Sequence, residues 1–230
     1  PRPMPVPFLD LKLQYRSIQS ALDAAVERVV TSQGFILGPE VQGLEAENAA
    51  DLEVPPAVGG ASGTDALLLP LKALDPRPGD QVILPAFTFF ATAGAAWNAG
   101  FTPVFCDVDP DTFNVTAGTL EAAWTERTRA VIPVHLYGQM APMGEIMALA
   151  GGRGAFVLED AAQAIGARQR TAGGLGTAVG AGVDGEVGEA QGYRPGAAAS
   201  HGWVMAGAAG DACGFSFFPT KNLGGFGDGG

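Results

Sequence analysis

Ala155-Phe156-Val157-Leu158-Glu159-Asp160-Ala161-Ala162-Gln163-Ala164 is the stretch that decides the fold of this chain. A short apolar run closed by two acidic residues reads as a strand inside a mainly parallel sheet, where both faces are covered and simple alternation is lost. Side chains alternate along a strand, so Glu159 and Asp160 are expected on opposite faces, with Asp160 emerging at the carboxyl end. Similar short runs lie on either side: Ala57-Val58, Gln81 to Leu84, Val104 to Cys106, Ala130 to Val134, and Cys213 to Phe217. Helical patterns separate them near residues 64–74, 89–99, 117–126 and 142–150. This rhythm predicts an α/β fold with a mainly parallel sheet and helices on both faces.

Two helices are expected before the first strand. Ile18, Leu22, Val26, Val29 and Val30 recur at helical spacing, with Gly34 as the stop, and Pro39 suits the first turn of a helix carrying Val41 and Leu44. Pro70 falls inside the Leu67-to-Leu74 run, where it should kink or shorten the helix. Residues 171–210 differ from their surroundings, since 12 of them are glycine and 10 alanine. So few large apolar groups cannot offset the entropy of ordering, and a flexible loop or insertion is expected there.

The formal charge of −11 argues against a nucleic-acid binder, which needs a basic stripe. Cys106 and Cys213 lie far apart in apolar runs and read as buried free thiols. With two histidines, His135 and His201, a zinc site has almost no ligands to draw on. No stretch resembles a signal peptide, and none is an uncharged apolar run of the roughly 20 residues that span a bilayer. A soluble cytoplasmic protein is the expectation.

In parallel sheets ligands gather outside the carboxyl ends of the strands. That rule selects Ser62-Gly63-Thr64, Phe87-Thr88-Phe89, His135, Asp160 and the segment ending at Lys221. Alone, each has a plain explanation: a surface lysine, an aspartate cap, a Gly-Thr turn, core aromatics. Together they form the kit for pyridoxal phosphate. Lys221 supplies an amine for a Schiff base, and Asp160 a carboxylate for the pyridine nitrogen. An aromatic from Phe87 to Phe90 can stack on the ring. Ser62-Gly63-Thr64 offers free amides at a helix N-terminus for the phosphate.

The same residues resemble the sugar aminotransferases of the DegT/StrS type, within the fold-type-I pyridoxal-phosphate enzymes. The resemblance covers residues 6–170 and 211–230. It rests on Pro7-Phe8-Leu9-Asp10-Leu11, Gly38-Pro39-Glu40-Val41, Ser62-Gly63-Thr64-Asp65-Ala66-Leu67 and Pro85 to Thr92. Val108-Asp109-Pro110, Pro133 to Gln139, Glu159 to Ala164 and Ser216 to Gly224 continue it in the same order.

That likeness implies a three-layer αβα large domain and a set of roles. Lys221 forms the Schiff base and shuttles the proton. Asp160 pairs with the pyridine nitrogen, Gln163 lies near the ring's phenolic oxygen, and Phe89 stacks on the ring. Gly63, Thr64 and Ser216 contact the phosphate, with Ser62 completing that binding segment. The implied reaction moves an amino group, usually from glutamate, to a nucleotide-linked keto-sugar in a homodimer. A related branch carries histidine in place of the lysine and dehydrates its substrate; Lys221 argues against it. Relatives of this type continue into a smaller C-terminal domain, so residues 1–230 are expected to be an incomplete large domain, interrupted at 171–210. The alternative is a non-catalytic, truncated fragment of the same fold.

Overall fold

The computed structural model describes residues 6–7, 9–54, 56–170 and 202–230. Three helices, α1 (Leu11–Ser32), α2 (Pro39–Asp51) and α3 (Gly63–Ala73), precede the first strand, β1 (Gln81–Pro85). Then α4 (Phe90–Ala99), β2 (Thr102–Cys106), α5 (Ala117–Ala122) and β3 (Thr128–Val131) alternate. A 3-10 turn (Leu136–Gly138), α6 (Met143–Gly151) and β4 (Phe156–Asp160) follow. The described chain continues with β5 (Arg168–Arg170), β6 (Trp203–Met205) and β7 (Ala212–Gly214).

Five strands form one sheet in the order β2-β1-β3-β4-β7, and every pairing in it is parallel. β5 and β6 make a separate antiparallel pair. The α/β expectation is met, and its physical basis is visible in the core. Val82, Leu84, Ala130, Ile132 and Leu158 face one side, where they pack with Leu67 and Leu71 of α3, Ala95 and Ala96 of α4, and Phe101. Ile83, Cys106, Val131 and Val157 face the other, against Leu120 of α5 and Met143, Ile146 and Met147 of α6. Strand residues one apart thus serve different cores, each fully buried Leu or Ile contributing about 1.5–3 kcal/mol. Cys106 and Cys213 are free, and burial pushes the Cys106 thiol up to about 11.

Local signals set the helix starts. Asp10 accepts the amides of Lys12 and Leu13 ahead of α1, and Pro39 occupies the first turn of α2. α1 ends not at Gly34 but at Gln33, which takes the left-handed conformation itself (φ 54°). None of the described helices is long and apolar enough to cross a membrane.

Three expectations need correction. Ala57-Val58 is not a strand, being too short to pair against anything. Pro70 does not end its helix: α3 runs through it to Ala73, because Leu67 and Leu71 are held between α4 and the sheet. Of the loop expected at 171–210, residues 171–201 lie outside the described residues, while the rest is structured. Trp203–Met205 pairs with β5, and Ala206, Ala208 and Ala209 are buried in the core under α6. Their small side chains let the backbone itself approach β4.

Candidate functional site

Asp160 is the last residue of β4, and its main chain is fixed from both directions. Its amide donates to the Pro133 carbonyl (2.9 Å), and its carbonyl accepts from the His135 amide (2.9 Å). The side chain is 5% exposed and faces α4, where Oδ2 accepts from the Thr92 hydroxyl at 2.8 Å. Oδ1 accepts the Ala162 amide (3.2 Å). Thr92 is itself fully buried and 2.8 Å from the Thr88 hydroxyl, so two threonines one helical turn apart link the carboxylate to the loop after β1. Burial pushes the Asp160 carboxyl above its usual range; the bonds from Thr92 and Ala162 and the charge of Lys221 pull the other way.

Lys221 follows β7 on a tight turn, its amide donating to the Phe218 carbonyl (2.8 Å). Its Nζ lies 6.0 Å from the centroid of the Phe89 ring. Phe89 stands immediately before α4 and is 70% exposed, so its ring is available to a ligand rather than spent on the core. The glycine-rich exit has a steric cause: a Cβ on Gly224 would lie 2.4 Å from the Pro219 carbonyl oxygen. The chain folds back tightly, and the Gly225 amide reaches the Phe217 carbonyl (2.8 Å).

The third component is the start of α3. Ser62 caps it, with Oγ accepting the Asp65 amide and donating to the Asp65 carboxylate, both at 3.1 Å. Gly63 sits so close to the strand-end loop that a Cβ there would fall 2.5 Å from the Ser216 Cβ. Gly63, Thr64 and the Ser216 side chain thereby lie together at the start of α3, where helix-terminal amides can take an anion. Gly63→Ala should overpack this contact, costing about 1–3 kcal/mol. The expected result is a melting temperature lower by several degrees and a weaker response of that temperature to added pyridoxal phosphate. Unchanged values for both would show that the close approach is dispensable.

Gln163 approaches from the other side of Asp160. Its Oε1 accepts the Tyr137 amide (2.7 Å), which leaves Nε2, a donor, as the other end of its side chain. Tyr137 adopts the left-handed conformation (φ 54°) to make this bond.

Several of the residues singled out in the sequence lie near one another: the Lys221 Nζ is 6.0 Å from the Phe89 ring centroid, and Gly63 abuts Ser216. The roles of Thr88 and Thr92 have no signal in the sequence beyond a pair of hydroxyls four residues apart in an otherwise apolar stretch. His135, a strand-end candidate, does not join them: its ring is fully buried and bonded to Glu159 on the opposite face (2.8 Å).

The donor set fits pyridoxal phosphate: an amine, a buried carboxylate, an exposed ring and an anion cradle at one sheet edge. Comparison with known proteins agrees. The model of the DegT/DnrJ/EryC1/StrS aminotransferase family matches residues 16–230. A pleiotropic regulatory protein of Geobacillus stearothermophilus is 45% identical over 99% of this chain and 52% of its own length. A UDP-N-acetyl-3-dehydro-alpha-D-glucosamine 3-aminotransferase of Acidithiobacillus ferrooxidans is 44% identical over 98% of this chain and 52% of its own. The structure of Streptomyces venezuelae DesV, solved with a ketimine intermediate, superposes with a TM-score of 0.80 at 40% identity, covering 97% of this chain and 52% of DesV. Solved structures among the matches include pyridoxal-phosphate and pyridoxamine-phosphate forms. The chain spans about half the length of the curated relatives it matches. With a family match running from residue 16 to residue 230, the chain belongs to the DegT/DnrJ/EryC1/StrS aminotransferases.

Proposed function

We propose that the protein of which this chain is part carries an amino group from an amino-acid donor, glutamate, to a nucleotide-linked keto-sugar. The observation that supports this most directly is the Lys221 Nζ 6.0 Å from the centroid of the Phe89 ring, at the sheet edge where the buried carboxylate of Asp160 ends β4. Pyridoxal phosphate, when bound, supplies an electron sink for the electrons of the donor's Cα–H bond.

Each side chain then has a task. Lys221 anchors the cofactor through its Nζ and, once released by the incoming amino acid, takes the proton from Cα and returns it to the cofactor's C4′. Asp160 keeps a proton on the pyridine nitrogen, with Thr92 holding its Oδ2 in place. Phe89 covers one face of the ring and excludes water from it. Gln163 donates through Nε2 to the phenolic oxygen. Gly63 and Thr64 amides, with Ser216 and the capping Ser62, hold the phosphate. The first half-reaction releases 2-oxoglutarate; the second runs the same proton transfers in reverse on the keto-sugar.

A homodimer in the cytoplasm is part of the same proposal. Phe90, Trp97, Phe105 and Tyr137 are exposed, which is more aromatic surface than a solitary domain usually leaves uncovered. Light scattering of the full-length protein checks it, a monomer at micromolar concentration being the contrary result.

The reaction is tested by incubating the full-length, cofactor-loaded protein with glutamate and measuring 2-oxoglutarate together with the change in the cofactor's visible absorption. Nucleotide-linked keto-sugars are then added to restore the starting spectrum. Release of no keto acid from glutamate or any other amino acid would make this a cofactor-holding protein without turnover.

A further inference from the structure

We propose that Glu159 is a positioning residue: a buried anion that locks the strand end from behind and so fixes the aim of Asp160 on the front. The inference rests on the cofactor reading given above, and it concerns the face of β4 that this reading does not use.

Glu159 is fully buried and is met by four donors. His135 Nε2 lies 2.8 Å from Oε2, which also accepts the Gly207 amide (3.1 Å). Oε1 accepts the amides of Ala209 (2.9 Å) and Gly210 (2.7 Å). The tautomer of His135 follows from its other nitrogen: Nδ1 accepts the Ala141 amide (3.2 Å), so Nε2 carries the hydrogen and donates. Both oxygens of Glu159 are therefore acceptors only. Three of the donors come from one tight turn, an arrangement that concentrates backbone dipoles on an anion.

That turn is shaped for the task. Gly207 has φ +97°, and a Cβ there would lie 2.6 Å from the Phe215 ring. A Cβ on Gly210 would lie 2.8 Å from the Val157 carbonyl oxygen. Asp211, next along, grips the same strand: its carboxylate accepts the Val157 amide (2.8 Å), and its own amide donates to the Val157 carbonyl (2.8 Å). The main chain of Asp160 meanwhile bonds to Pro133 and to His135, the residue whose ring Glu159 holds. Asp160 is thus fixed through two consecutive residues and two faces. A strand end needing only stability would be served as well by a leucine at 159, without the large cost of burying a charge. Directional bonds to a rigid nest supply what a leucine does not, which is a fixed orientation for the next residue.

The test is pyridoxal-phosphate affinity in a double-mutant cycle, with the full-length protein carrying Glu159→Gln, Asp160→Asn, both or neither. Glu159→Gln keeps the shape but turns an N–H group toward donors. It should weaken the cofactor about tenfold in the Asp160 background, the scale of one lost charge-assisted bond. In the Asp160→Asn background the loss should be less than about twofold, because there is no carboxylate left to aim. Hydrogen exchange at Gly207, Ala209 and Gly210 of the cofactor-free protein should also accelerate in Glu159→Gln. An equal loss in both backgrounds, or none in either, overturns the proposal in favour of a purely structural role. If Glu159→Gln does not fold, His135→Leu removes one donor and takes its place in the same cycle: a loss confined to the Asp160 background supports the proposal, and an equal loss or none overturns it. Failure of the unmutated protein to bind the cofactor would instead sink the reading beneath, and this inference with it.

Discussion

Lys221→Ala should abolish the borohydride-stable adduct between the protein and pyridoxal phosphate and reduce amino transfer by more than about 10³-fold, within the range that a positioned acid–base group contributes. The chain has three lysines, and no other can take over. Lys12 lies in the first turn of α1, and Lys72 near the end of α3, away from the Ser62 cap. Of the three, Lys221 has its Nζ 6.0 Å from the Phe89 ring centroid, and its charge favours the ionised form of Asp160. Peptide mass analysis after reduction reads the result directly: the adduct should map to the peptide holding Lys221 and be missing from the variant. An adduct of equal strength in Lys221→Ala would overturn the assignment.

Asp160→Asn is expected to act in opposite directions on stability and on chemistry. Burial raises the folded-state pKa of Asp160, so between its ordinary value of 3.8 and the raised one the folded chain holds a proton that the unfolded chain has lost. Stability of the cofactor-free protein therefore falls as pH rises through that window, and the deficit persists at neutral pH. Asparagine removes the buried charge; its Oδ1 can accept the Ala162 amide while Nδ2 donates to the Thr92 hydroxyl, which turns its own hydrogen to Thr88, so the variant should melt higher than the parent at neutral pH. The advantage should vanish once the pH falls below the ordinary value of 3.8. Each kcal/mol relieved corresponds to about 2–4 °C in a chain of this size. The same substitution leaves nothing to hold a proton on the pyridine nitrogen, and the glutamate half-reaction should drop by about 10²–10⁴-fold. A variant that melts lower at every pH would refute the electrostatic account; one with normal half-reaction rates would refute the catalytic one.

The strands of the main sheet were legible because a parallel strand buried on both faces must be a short apolar run, as Gln81 to Leu84 and Ala155 to Leu158 are. β5 was not: Arg168-Gln169-Arg170 is polar on both sides and is a strand only because Trp203–Met205 lies beside it. Pro70 misled for a related reason, since two leucines clamped in the core outweigh one lost backbone bond. In the site, Asp160, Lys221 and Gly63 stand out in the sequence by their places at strand ends, whereas Ser216 is singled out only by the family resemblance. The partners of Asp160 could not. Thr92 is 68 residues away from it, and nothing local distinguishes that threonine from one facing solvent. Glu159 was correctly set on the face opposite Asp160, but its cage comes from His135 and from a distant glycine-rich turn, which composition alone marks as loose.

The pairing of Arg170 with Trp203 has a consequence for how this chain tolerates change. Both ends of the intervening stretch are register partners, so the span between them is one interstrand spacing, about 4.8 Å, whatever length of polypeptide departs and returns there. For an unstructured excursion the closure entropy grows as a logarithm, roughly 0.6 kcal/mol for each doubling. Strands that flank an excursion of that kind feel only that gentle term. This junction is therefore a natural port in the architecture, a place where foreign sequence could be spliced in while Asp160 stays opposite Gly214 in the pairing of β4 with β7.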